Sequence, residues 1–534
     1  MVSRIAMRIF LLVLIGGAVC FNYIQSVTVS DAFWKTLVQL PFFVLTAWIF
    51  DAAGRFSISR WRWTGSLVYM FFAFYALVTV AECYLCLFVK SGYTSSILTF
   101  LFQTNAGESR GFVDAYLTNK MFFIFAGTLA VSAVLVLVVE LFLPEHIMPQ
   151  TWSGMLVMTA FLLALMFPVY PCTSVSRLAD SFYHYCEIRS DEGRLCHDTK
   201  VYGANHVPHD VVLIIGEAFS KHHSSLYGYV RQTNPCLEKL IESGNLFLFN
   251  DVIAPYNKTH MILKELLSVH SVDSPKAWNE YPLWPQIFKD GGYHVSFVSN
   301  QVPSAASDDR NVYFFQDKDV EQRCFDYRNN YVYRYDEGLL NELQKISSFC
   351  TSPNQLTILH LNGQHIYAVY NFPHERFTVF RSSDYIPNSL DLDSRQVQEL
   401  ADYDNATLYN DYVVSRIMKW YDDREAVVVY LSDHGEEVHD YRPFLGRSHA
   451  QVPTRNEIRH QYEVPFMIYV TDAYKRQNPD VVKEIQDFRF RKFMSDDLCH
   501  MLLGLSGIQT EWYDPARDIL SHDYDTTRIR IFGY

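Results

Sequence analysis

Four strand-like runs of this 534-residue chain end in, or lie beside, residues that bind metals. "DVVLIIG" delivers Glu217 directly after a glycine. "LTILHLNGQH" holds His360 and, just beyond it, His365. "AVVVYLSDHGEE" ends in Asp433, His434, Glu436 and Glu437, and the segment before "VPFMIYVT" contains His449, in "GRSHAQ", and His460. Singly, each has an ordinary reading. A lone strand-end histidine is usually a surface or hydrogen-bonded residue, and an Asp-His pair can be a turn. Together they mean more, because a parallel sheet gathers its strand ends along one edge, where ligands collect. Carboxylates and imidazoles converging there suit zinc.

A nucleophile would complete such a site. "FNDVIAPYNKTHMILKELLSVHS" passes from a strand through a Pro-Tyr-Asn turn into a helix beginning near Thr259. One reading is an ordinary capping threonine. The other uses the same geometry: free N–H groups and the positive helix end would cradle a phosphate beside the hydroxyl. A threonine hydroxyl attacks only when a base or metal helps it ionise. Spacing alone leaves both readings open.

The elements that must position these residues follow from the apolar patterning. The runs "DVVLIIG", "HVSFVSN", "LTILHLNG", "AVVVYLSD" and "VPFMIYVT" are short, β-branched and apolar on both faces, as strands of a covered parallel sheet are. Helical segments are predicted between them at about 236–243, 260–270, 284–289, 339–347 and 402–420. The fold class expected is α/β, a doubly wound, mainly parallel sheet flanked by helices, over 210–534.

The first third differs in kind. Apolar stretches at about 7–24, 33–50, 67–89, 121–143 and 155–170 each approach the roughly 20 residues a helix needs to cross a bilayer. Five in succession predict a transmembrane domain over 1–171, then a linker over 172–209. Arg4 and Arg8 at the first span, with Arg55, Arg60 and Arg62 after the second, place those loops in the cytoplasm and everything after the fifth span outside. Seven cysteines lie beyond that span with no CxxC pair, which excludes a zinc ribbon and agrees with an oxidising exterior. Cys186–Cys196 is the preferred disulfide and Cys324–Cys350 the second choice. The net charge of −13 argues against a nucleic-acid partner.

At these residues the sequence resembles the bacterial phosphoethanolamine transferases, membrane-anchored members of the alkaline-phosphatase/sulfatase-like superfamily. "IIGEAFSKHHSSLYGYVRQTNP" looks like their opening motif, "APYNKTH" their nucleophile turn, "LNGQHIYAVYNFP" their histidine segment and "YDNATLYNDYVV" the helix before the last motif. "YLSDHGEE" matches their metal motif best. The resemblance implies one or two zinc ions, with Glu217, Thr259, Asp433 and His434 forming the first metal site. Thr259 would be the nucleophile that carries phosphoethanolamine. His365, His449, Asn405 and Glu436 would bind substrate or a second metal. It also implies a phosphatidylethanolamine donor, a lipopolysaccharide or other envelope glycan acceptor, and an inner-membrane protein with a periplasmic catalytic domain. Lipid A-modifying members carry a Cys-Gly-Thr turn where this chain has Asn-Lys-Thr, closer to members that modify other envelope sugars.

Three other readings compete. One is a phosphodiesterase or phosphatase on the same fold; a sulfatase is the weaker form of it, since no Cys/Ser-x-Pro-x-Arg motif follows the strand. Another is a membrane-tethered glycerol-phosphate transferase. The third is an inactive envelope scaffold, against which stands the presence of Glu217, Thr259, Asp433 and His434 together.

Overall fold

The computed structural model describes residues 195–204, 209–301, 318–365, 367–385, 390–448 and 452–532, the helix Ser174–Glu192, and scattered positions among the first 98. The chain divides into two compact units, Met1–Ser190 and Asp191–Tyr534. In the first, Glu82 is fully buried and accepts from Arg177 Nε at 2.6 Å. Most of the five expected membrane spans lies outside the described residues, and among these no helix is long and apolar enough to cross a membrane. The expected linker is helical over its first half, Ser174–Glu192.

The second unit is built on a seven-stranded sheet. Its strands are β1 (Asp210–Gly216), β2 (Leu246–Phe249), β3 (His294–Ser299), β4 (Tyr327–Arg328), β5 (Gln355–His360), β6 (Ala426–Ser432) and β7 (Phe466–Val470), in spatial order β2-β7-β6-β1-β5-β3-β4. All run parallel except β7, which pairs antiparallel with both β6 and β2. The sheet is therefore mixed and mainly parallel, with each strand predicted from the sequence present. The two edge strands, β2 and β4, were not among the predicted runs.

Strand β1 sits at the centre, every residue buried. Val211, Leu213 and Ile215 face one apolar layer with Trp284, Phe288, Phe466 and Leu502. Val212 and Ile214 face the other with Tyr403, Tyr409, Val413 and Ile417. This two-sided burial explains why these strands read as unbroken apolar runs. Two helices matter for the site: α1 (Thr259–Leu266) and α2 (Ser394–Trp420). The latter starts eight residues before the predicted 402, because Asp393 caps it and accepts from the Arg395 and Gln396 amides, each at 2.9 Å.

The tail clasps the unit. Arg528 pairs with Asp496 at 2.8 Å and Asp497 at 2.5 Å, and Arg517 pairs with Asp497 at 2.8 Å and Asp273 at 2.9 Å.

The disulfide expectations are corrected. All five cysteines of this unit, Cys196, Cys236, Cys324, Cys350 and Cys499, are free thiols. Cys324 is buried in one apolar layer and Cys350 packs against the other, so the sheet stands between them. Cys196 is free against its expected bridge to Cys186, whose own side chain lies outside the described residues.

Candidate metal and nucleophile centre

At the carboxyl end of β1 the chain must turn sharply, and Ala218 takes a left-handed conformation at φ 55°. That turn leaves Glu217 pointing along the sheet edge, fully buried. The neighbouring strand β6 ends the same way. The Asp433 amide donates to Gly216 O at 3.0 Å, and Asp433 Oδ1 accepts from the Ala218 and His434 amides at 3.1 and 2.7 Å. Its other oxygen, Oδ2, has no hydrogen-bond partner and is buried. His434 Nδ1–H donates to Gly435 O at 2.8 Å, which fixes the tautomer and turns the Nε2 lone pair into the site.

Thr259 closes the group. It is the first residue of α1, with Lys258 in the capping position, so the threonine side chain is not spent on capping. Its Oγ1 lies 3.1 Å from Glu217 Oε2 and 3.1 Å from His434 Nε2. His434 Nε2 in turn lies 3.2 Å from Glu217 Oε1 and 3.1 Å from Asp433 Oδ2. Four ligands at about 2.0 Å from a tetrahedral zinc stand about 3.3 Å apart. The four contacts here are close to that spacing, and the Asp433 oxygen among them is the one left without a hydrogen bond. These residues fit a zinc ion.

Electrostatics point the same way. Burial raises the carboxyl of Asp433 well above its ordinary range, and Glu217 raises it further. Burial acts on Glu217 too, but His434, His365 and Arg447 outweigh it and hold that carboxyl low. Two buried carboxylates against one imidazole call for a cation, since unpaired buried charge is costly. Burial drives the His434 imidazole down to about 4, leaving it neutral as a ligand must be.

The other predicted residues fall in different places. His365 is half-buried and near enough to Glu217 to bias its charge, but it is outside the cluster of ligand atoms. Glu436 is buried, 3.2 Å from Arg447 Nε, with burial raising its carboxyl to about 7. Asn405 is engaged elsewhere: its Oδ1 accepts from the Val379 and Phe380 amides and its Nδ2 donates to Phe380 O, each at 2.8 Å. These three bonds pin that loop. His449 lies outside the described residues.

Sequence reasoning missed several supporting groups. Gln301 Nε2 donates to Glu217 Oε2 at 3.0 Å. Buried Asp336 accepts from the Asn362 and Gly363 amides, both at 2.9 Å, and shapes the turn that presses on Glu217. Asn257 donates to Gln461 at 3.0 Å and Gln461 to Glu437 at 2.9 Å, tying the turn before Thr259 to the segment after β6. Arg447 sits just after a small hairpin of Glu437–Val438 with Leu445–Gly446. None of these has a local signature beyond being polar beside a glycine or a turn.

The fold and this centre define a class. The sulfatase family model matches residues 209–508, and the chain belongs to that family. Its curated relatives include the phosphoethanolamine transferase EptC of Escherichia coli strain K12, 26% identical over 487 residues, covering 85% of this chain and 82% of that protein. The phosphoethanolamine transferase CptA of Salmonella typhimurium is 26% identical over 472 residues, 82% of this chain and 79% of that one. Among solved structures, the C-terminal periplasmic domain of E. coli EptC in complex with zinc is 28% identical, with a TM-score of 0.54 over 62% of this chain and 94% of that one. The integral membrane phosphoethanolamine transferase EptA of Neisseria meningitidis is similar in fold over 96% of this chain and 97% of that one, with a TM-score of 0.62 at 17% identity.

Proposed function

We propose that this chain is a zinc-dependent phosphoethanolamine transferase. It moves phosphoethanolamine from phosphatidylethanolamine to a lipopolysaccharide or other envelope glycan through an adduct on Thr259. The carrying observation is the hydroxyl of Thr259 set 3.1 Å from both Glu217 and His434, beside the orphaned oxygen of Asp433. The relatives named above support the head group transferred.

Glu217, Asp433, His434 and Thr259 would hold the metal, which when bound lowers the pKa of the threonine hydroxyl and offsets phosphodiester charge. Thr259 Oγ1 then attacks phosphorus. The new Thr259–phosphorus bond forms, the bond to diacylglycerol breaks, and diacylglycerol leaves with the proton given up by the threonine. In the second half an acceptor oxygen attacks the same phosphorus, the bond from phosphorus to Thr259 Oγ1 breaks, and that oxygen takes the acceptor's proton, which regenerates the threonine. This is ping-pong chemistry with a covalent enzyme. Positioning, by the Gln301 bond to Glu217 and the Nδ1 bond of His434, holds the nucleophile on a rigid sheet edge.

Incubating the full chain with phosphatidylethanolamine and no acceptor should leave phosphoethanolamine on Thr259, read by peptide mass spectrometry. Thr259→Ala should form no adduct and lose turnover, whereas loss of a cap alone would cost about 0.5–2 kcal/mol and leave chemistry measurable. An active alanine variant overturns the mechanism; an adduct of glycerol phosphate keeps it and changes the substrate. The donor is a bilayer lipid, so the reading includes an inner-membrane anchor of five spans and a periplasmic catalytic unit. A reporter active only outside the cytoplasm, fused after residue 534, should give signal, and a signal from a cytoplasm-only reporter would refute that topology.

A further inference from the structure

The reaction proposed for Thr259 gathers negative charge on phosphoryl oxygens, and one cation in the site has no role in binding the metal. The Arg447 guanidinium is held from two sides. Its Nη1 donates to Asn257 O of the nucleophile turn at 3.2 Å, and its Nε lies 3.2 Å from buried Glu436. The same Nη1 also reaches His434 Nε2. That contact is informative. With Nδ1–H of His434 committed to Gly435 O, the Nε2 lone pair is what Nη1 donates to, and it is the same lone pair a metal would take. Both cannot use it at once. In the loaded site Nη1 loses this acceptor and becomes a spare donor beside Thr259, whose Oγ1 is 3.1 Å from that Nε2. Nη2 has no bond among the described residues.

We propose that Arg447 is a catalytic residue of the transfer, a two-pronged clamp whose Nη1 and Nη2 bind non-bridging oxygens of the phosphoryl group that Thr259 attacks. A guanidinium suits this because its planar fork matches two oxygens of one phosphate and it stays charged. The clamp is fixed in advance by Asn257 and Glu436, so it needs no reorganisation as charge develops.

The proposal rests on the reading of Thr259 but is tested separately from it. In the full chain loaded with zinc, Arg447→Ala should slow adduct formation on Thr259 by roughly 100-fold or more, the usual effect of removing one such donor. It should also weaken binding of inorganic phosphate to the zinc-loaded chain at least tenfold, measured by calorimetric titration, a readout that needs no chemistry. Zinc content should match the parent, and added guanidinium ion at millimolar concentration should restore part of the rate. Arg447→Lys should recover less than half of the loss, because a point charge cannot bind two oxygens. The opposing explanation is that Arg447 only neutralises Glu436. In that case the double variant Arg447→Ala/Glu436→Gln regains the parent rate and phosphate affinity, and that result overturns the proposal. So does unchanged phosphate affinity in Arg447→Ala. If Thr259 were not the nucleophile, the parent itself would form no adduct while the phosphate measurement would still report on Arg447.

Discussion

At the scale of single residues, the centre is a set of charges that cannot rest without a partner. Glu217 and Asp433 are both fully buried, and Asp433 keeps one oxygen with no hydrogen bond. Removing one carboxylate should therefore act with opposite signs on the two forms of the protein. Asp433→Asn should leave the metal-free chain as stable as the parent or more so, because a buried repulsion is relieved. The same change should abolish the stabilisation that zinc confers, about 2.7 kcal/mol when the ion is at 100 times its Kd. Thermal melts with chelator and with added zinc measure both. A variant that still gains the full zinc shift would remove Asp433 from the ligand set. The clustered residues were legible because a carboxylate at the end of an apolar run is conspicuous. Arg447 and Gln301 were not, since a long polar side chain reaches the site from a loop whose path no local pattern encodes.

At the scale of elements, what aims the ligands is the set of turns beyond the strands. The turn after β5 shows how tight the fit is. Gly363 has φ +50°, and a Cβ there would stand 2.6 Å from Glu217 O and 2.9 Å from its N. Gln364 N donates to that same carbonyl at 3.0 Å. Gly363→Ala should therefore displace the Glu217 backbone, at a cost of roughly 1–3 kcal/mol for the strained conformation. Zinc affinity, measured by chelator competition, should fall by tenfold or more, while circular dichroism stays native. An unchanged affinity would mean the turn yields without moving its neighbour. The strands themselves were predicted well, because burial on both faces writes an unbroken apolar run. Their direction was not. "VPFMIYVT" is as apolar as its neighbours yet runs antiparallel as β7, since side-chain pattern alone carries no sense of polarity along the strand. The early start of α2 was missed because its first turn is polar and solvent-facing, so only the Asp393 cap announces it.

At the scale of the catalytic unit, the chain's last stretch is part of the fold and not a trailing end. Arg528 is mostly buried and meets Asp496 and Asp497, adjacent acidic residues with almost no exposure. Burial, and then Asp496, push the Asp497 carboxyl up to about 7 even with the two arginines beside it. Arg528→Ala would leave those carboxylates short of a counter-charge, and breaking a buried pair from one side costs about 3–5 kcal/mol. Denaturant melts of the full chain should show a loss near the lower end of that range, because Arg517 remains. A loss below about 0.5 kcal/mol would show the clasp to be ornamental. Nothing in "DTTRIRIFGY" foretold this, for the partners lie some thirty and more than two hundred residues away in sequence.

The five free thiols have a consequence for how the cell makes this protein. If the unit is exported as proposed, a sheet that seals its two apolar layers without a covalent tie asks nothing of the thiol oxidases met on that route. The catalytic unit should mature equally well in strains lacking those enzymes, tolerate reductant throughout purification, and be obtainable from a reducing cytosol by expression of residues 191–534 alone.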